Sequence, residues 1–189
     1  LSDDAFIPGL RDLTDRVHAH GAKISVQLQH AGKVSVKDLA DGRPLSVPSK
    51  GVMAMEGVLD DLNPGEINAI VGNYQKVDPG NMFLELDEAE IRRIIGTFSS
   101  AAERAKRAGF DGVEYHCAHS YLGGQFISPH TNRRDDEYGG DFERRMRFGT
   151  EIVTGIQQVC GDDFPIGFKF SAHEHLHGGV NDRYDHGEN

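Results

Sequence analysis

Phe110-Asp111-Gly112-Val113-Glu114-Tyr115-His116-Cys117-Ala118-His119-Ser120-Tyr121-Leu122 is the stretch around which the chain is organised. A short strand runs into His116, and His119 and Tyr121 follow within five residues. A polar, arginine-rich loop comes next, Gln125-Phe126-Ile127-Ser128-Pro129-His130-Thr131-Asn132-Arg133-Arg134-Asp135-Asp136-Glu137-Tyr138-Gly139-Gly140. Three proton-handling side chains at the carboxyl end of a strand mark a candidate active site.

The flanking pattern supplies the frame. Asp3 and Asp4 precede a helical pattern in which Phe6, Leu10, Leu13 and Val17 follow a 3.6 period, and Gly21 is placed to end it. Lys23 to Gln29 alternates as a strand, with Ile24, Val26 and Leu28 on one side and Ser25, Gln27 and Gln29 on the other. Residues 33–86 are broken by Pro44, Pro48, Pro64, Pro79 and scattered glycines, with a short helix near Glu66 to Tyr74. So long a connection suits a substrate-side loop or lid. Asp87 and Glu90 then open the clearest helix, whose apolar face is Ile91, Ile94, Ile95, Phe98, Ala102 and Ala105 before Gly109. After the arginine-rich loop, Phe142, Ile152, Val153, Ile156 and Val159 mark another helix ending near Gly161. Pro165 to Ser171 reads as a strand with Ile166, Phe168 and Phe170 on one face and Gly167, Lys169 and Ser171 on the other. Residues 173–189 read as a flexible, polar tail.

Strands alternating with helices imply a parallel sheet covered by helices, either part of an eight-stranded barrel or a doubly wound sheet. A complete barrel takes about 250 residues; this chain has 189 and three clear strands, so it reads as part of one. The length suits one domain with a real core. A net charge of −10 and a pI near 5.4 argue against nucleic-acid or anionic-membrane partners. No apolar run approaches the roughly 20 residues that span a bilayer, and Leu1-Ser2-Asp3-Asp4 does not open a signal peptide. Two cysteines, Cys117 and Cys160, form no disulfide framework and fit a reducing, cytoplasmic setting.

Strand parity places Gln27, then Glu114 and His116, then Lys169 opposite the apolar set, towards the carboxyl ends where α/β folds hold their chemistry. Each alone has an ordinary structural role: a satisfied histidine, a Lys169–Glu114 pair offsetting burial, a glutamine bonded to backbone. Three strands each ending in an inward polar residue favour a functional set. His173, His175 and His177 form a second cluster, whose alternate spacing would put three imidazoles on one face of a strand and permit a metal. They lie in a glycine-rich tail without an evident carboxylate to orient them.

The stretch His116 to Leu122 with the downstream Gln125 to Gly140 run closely resembles the Old Yellow Enzyme family. These are FMN-dependent NAD(P)H:flavin oxidoreductases and ene-reductases, including the 2,4-dienoyl-CoA reductase branch. Gly21 to Gly32 is similar to that family's third barrel strand and Phe164 to Ser171 to its fifth. The resemblance therefore implies a partial TIM (β/α)8 barrel, about strands 3 to 5 with their helices. One partial FMN-binding domain would span 1–189, beginning in family terms at the second helix and ending just after the fifth strand. By position, His116 and His119 match the paired donors to a substrate carbonyl oxygen, and Tyr121 the proton donor to the α-carbon. Gln27 matches the residue that reads the flavin's pyrimidine edge, and Lys169 stands where the family usually has Arg. Ser120 replaces the usual Gly, and Asp141 and Arg144 replace the usual Ser and Asn.

The cofactors implied are FMN, with NAD(P)H as reductant. The two isolated cysteines hold no iron–sulfur cluster. The implied partner is a small enone or related unsaturated compound, and a homo-oligomer stays open. Two alternatives stand beside this reading: a non-catalytic piece that needs the rest of a barrel, and a metal-dependent barrel hydrolase using the histidine cluster.

Overall fold

The computed structural model describes residues 1–50, 63–74, 76–174 and 178–180. Asp3 accepts the Ala5 N–H and starts a short turn that runs into α1 (Ile7–His18). The chain then forms β1 (Ser25–Leu28), α2 (Val36–Ala40), β2 (Leu45–Val47), α3 (Pro64–Tyr74) and β3 (Phe83–Glu85). It continues through α4 (Glu88–Arg107), β4 (Gly112–Cys117), α5 (Leu122–Ile127), α6 (Phe142–Cys160) and β5 (Ile166–Phe170).

The central sheet has the order β1-β4-β5 and is parallel throughout. Its register pairs Gln27 with Glu114 and His116 with Lys169. Because side chains alternate along a strand, these polar residues share one face. Leu28, Val113, Tyr115 and Cys117 go to the other, where α4 and α6 cover them. Asp87 caps α4 by accepting the Glu90 N–H, and Ile91, Ile94, Phe98, Ala102 and Ala105 are its buried stripe. Burying an Ile or Phe of this kind stabilises the fold by roughly 1.5–3 kcal/mol each. Helices α4 and α6 approach closely at Gly155, where a Cβ would stand 2.5 Å from Ser99 Oγ.

Several helical faces differ from the periodic expectation. Phe6, just before α1, and Leu13 within it are exposed; Leu10 packs against the core with Ile7, and the fully buried residue is Thr14, whose Oγ1 donates to Ala108 O at 2.6 Å. The helix turns this face inward because it docks on the carboxyl end of α4. In α6, Phe142 and Val159 are exposed, while Phe148, Ile152, Ile156 and Cys160 form the core face. Arg145 is buried there as well, donating to Ile127 O and Gly140 O. Asp141 accepts the Arg144 N–H at 2.9 Å, an N-cap that Asp and Ser perform equally well.

Within 33–86, the expected short helix is α3. The same stretch also pairs β2 with β3 in parallel and has a small apolar cluster of Leu39, Leu45 and Val77, with Phe83 packed against it. Its three-residue strands are too short for alternation to reveal. In the expected tail, residues 175–177 and 181–189 lie outside the described residues.

Candidate active site

The strongest sequence candidates converge where β4 ends. Ring centroids of His116 and His119 are 5.0 Å apart, those of His116 and Tyr121 4.8 Å, and those of His119 and Tyr121 6.5 Å. His116 is buried, Tyr121 half-buried and His119 exposed. The chain brings them together by a tight turn. His119 and Ser120 have φ of 55° and 57°, and Tyr121 N donates back to Ala118 O at 3.1 Å. Left-handed backbone costs a non-glycine residue roughly 1–2 kcal/mol, which gives a physical reason for glycine at position 120 in the family pattern. Ser120 departs from that pattern while keeping the conformation.

Tyr121 then caps the start of α5, a helix concealed within what the sequence presents as a polar loop. Leu122 N donates to His30 O at 2.9 Å, tying α5 to the exit of β1. Gln125 is buried in that helix and donates Nε2 to Ser120 O at 2.6 Å. Sequence reasoning passed over Gln125; the available signal was one polar residue inside the run Leu122-Gly123-Gly124-Gln125-Phe126-Ile127.

His116 Nδ1 accepts the Ala118 N–H at 3.0 Å, so in the neutral ring the proton is on Nε2. Burial, then the Lys169 ammonium, then His119 hold its pKa below the ordinary 6.5. The ring is therefore a neutral N–H donor. His30, at the exit of β1, is likewise held low, mainly by burial. Cys117, on the core side of β4, is pushed up to about 12 by burial and stays a thiol.

Gln27 and Lys169 flank this centre on the two outer strands of the sheet. Gln27 is exposed on the polar face and its Nε2 donates to Glu114. The structural pairing of Lys169 with Glu114 is not formed: among the described residues Glu114 pairs with Gln27, and Lys169 stands opposite His116. The arginine-rich loop is an anchor. Arg134 is half-buried, its side chain 8% exposed, and it donates Nη1 to Pro48 O and Leu86 O, both at 2.7 Å, while its Nε and Nη2 hold Asp136. Arg133 N donates to Ser49 Oγ at 2.9 Å. These bonds fasten the β2–β3 pair to the loop that follows α5.

Among the described residues, no group of three or more His, Cys, Asp or Glu side chains is arranged to hold a metal. Of the tail cluster, His175 and His177 lie outside the described residues. No helix among the described residues is long and apolar enough to cross a membrane.

The model of the NADH:flavin oxidoreductase / NADH oxidase family matches residues 1–187. The chain belongs to this family. A NADH oxidase from Thermoanaerobacter brockii is 42% identical over 179 residues, 95% of this chain and 24% of that protein. The NADPH dehydrogenase of Listeria welshimeri is 36% identical over 183 residues, covering 95% of this chain and 45% of that one. Among solved structures, morphinone reductase in complex with tetrahydroNAD superimposes with a TM-score of 0.72 at 31% identity, over 96% of this chain and 48% of its own. Old Yellow Enzyme from Pichia sp. AKU4542 gives 0.74 at 26%, over 92% and 42%. The chain thus spans between about a quarter and a half of the length of these relatives. The partial-barrel assignment agrees with this coverage and with the parallel sheet.

The family is FMN-dependent and uses NAD(P)H. The residues present fit the flavin's ring system. The polar face carries an amide with both donor and acceptor at Gln27, a cation at Lys169 and an N–H donor at His116, one from each strand.

Proposed function

We propose that the protein passes hydride from NAD(P)H to the C=C bond of an α,β-unsaturated carbonyl compound, with His116 and His119 binding the carbonyl oxygen and Tyr121 protonating the α-carbon. The observation that carries this is the convergence of His116, His119 and Tyr121, with His116 Nε2 left as a donor by the Ala118 bond. FMN, when bound, supplies the hydride chemistry.

Each residue's part follows from charge. Addition at the β-carbon develops negative charge on the carbonyl oxygen, and fixed N–H donors there stabilise it without reorganisation. A neutral His116 suits the task, since it donates without giving up its proton. Tyr121 carries a phenolic O–H, whose proton can be delivered to a strongly basic enolate carbon. Gln27 and Lys169 would hold the cofactor's ring, the amide reading its polar edge and the ammonium favouring its anionic form. Lys keeps the charge of Arg but offers a point donor in place of a planar fork.

The test uses 2-cyclohexenone with FMN-loaded protein. Tyr121→Phe is expected to slow alkene reduction by about 10²–10⁴-fold and leave reduction of the flavin by NAD(P)H unchanged. Undiminished alkene reduction in Tyr121→Phe His116→Ala would overturn the assignment.

A second reading rests on a separate observation. Phe168 and Phe170 on the last strand of the sheet, and Phe142 beside them, are 37%, 61% and 51% exposed. An apolar strip beside a strand edge that is unpaired among the described residues favours a chain that needs more barrel to be active. Light scattering with and without FMN separates the two: a monodisperse, flavin-binding chain supports activity by itself, and flavin-independent aggregation supports the second reading.

A further inference from the structure

We propose that Gln125 is a positioning residue for His119 and Tyr121: its side-chain N–H holds the left-handed turn between them in place. The inference rests on the proposed roles of those two residues, but its structural content is independent of them.

Ser120 is exposed, and the turn bearing it has two consecutive non-glycine residues at positive φ. Such a turn needs bonds that over-determine it. One is the Tyr121 N–H to Ala118 O bond within the turn itself. The other comes from Gln125, whose Nε2 donates to Ser120 O at 2.6 Å from a side chain 1% exposed. The amide's other end, Oε1, is buried and accepts no hydrogen bond from the described residues. An unpaired buried acceptor is costly, so the amide is poorly explained as filler. A methylene chain of the same length would pack there without that cost.

The space around the amide is also shaped for it. Gly32, at φ 58° after β1, lies against it, and a Cβ at that position would stand 2.4 Å from Gln125 Nε2 and 3.1 Å from Leu122 Cα. Leu122 in turn donates to His30 O. The amide is therefore wedged between the exit of β1 and the catalytic turn, and from the first it supports the second.

Hydrogen exchange and steady-state kinetics of Gln125→Met test this. The variant is expected to exchange the amide hydrogens of residues 119–122 about tenfold faster or more, with the α4 and α6 amides unchanged. Its kcat for 2-cyclohexenone is expected to fall by about 10- to 100-fold, with flavin reduction by NAD(P)H unaltered. Ser120→Gly, which removes the steric cost of the positive φ, should restore most of both losses when combined with Gln125→Met. Unchanged exchange at 119–122 overturns the proposal. So does exchange that rises throughout the molecule, or a Gln125→Met chain that fails to fold even with Ser120→Gly. If the wild-type protein reduces no enone while local exchange behaves as expected, the functional reading fails and the positioning role stands.

Discussion

The backbone N–H of Ala118 donates to Nδ1 of His116 at 3.0 Å, and that bond sets which nitrogen of the buried imidazole carries the proton. Nitrogen NMR of labelled histidine should show His116 as a neutral Nε2–H tautomer at pH 7. A ring protonated at Nδ1 would remove the donor geometry on which the proposed carbonyl clamp depends.

Burial holds His30 and His116 below their ordinary value of 6.5. For a base depressed in the folded state, the unfolded chain binds more protons as pH falls past 6.5, so stability declines there and levels off once the folded rings protonate. The urea midpoint should therefore fall between about pH 7.5 and about pH 5.5. Replacing both residues by Gln should flatten that part of the profile. An equal slope in the double variant would remove the two rings as its cause.

Lys169 stands opposite His116 in the register and helps to depress its pKa. Lys169→Met should raise the His116 pKa towards 6.5, read as a shift of its NMR titration to higher pH. An unmoved titration would mean that the two side chains do not sense each other.

Asp111 accepts from Lys23 Nζ at 2.8 Å, Ile24 N at 2.9 Å and His18 Nε2 at 2.8 Å, and these bonds, the Lys23 one above all, hold its carboxyl far below the ordinary range. A depressed acid contributes stability that is present above the unfolded value of 3.8 and lost as pH falls through the folded one. Asp111→Asn should weaken the fold at neutral pH and shrink the loss of stability on acidification below about pH 4. Parallel urea-midpoint profiles for the two proteins would contradict this.

Arg134 joins the carbonyls of Pro48 and Leu86 to the loop after α5. Arg134→Met leaves both acceptors without that donor and should cost about 2–4 kcal/mol of stability. Proteolysis should then cut first within the β2–β3 region. A loss spread evenly over the chain would show that Arg134 does not act on that ribbon in particular.

Long-period features were legible from residues alone. The α4 stripe of Ile91, Ile94 and Phe98, its Asp87 cap and the alternation in β1 and β5 are local consequences of backbone geometry. Local pattern failed where a neighbour decides. Thr14 faces inward while Leu13 is exposed because α1 is rotated by its docking on α4. The α5 helix escaped notice because its polar residue, Gln125, is buried for a bond to Ser120 that no periodicity encodes.

By itself the sequence determined the parallel α/β plan, the strand parity and the motif from His116 to Tyr121, since these depend on residue type and spacing. Only the tertiary structure decided that His116 presents Nε2, that Lys169 faces His116 and not Glu114, and that Gln125 and Arg134 fasten the site. Arg134 reaches Leu86, and Lys169 meets His116, only because the fold brings distant stretches of chain together; the Ala118–His116 and Gln125–Ser120 bonds span few residues but depend on the left-handed turn after β4 and on the water that folding removes from around them.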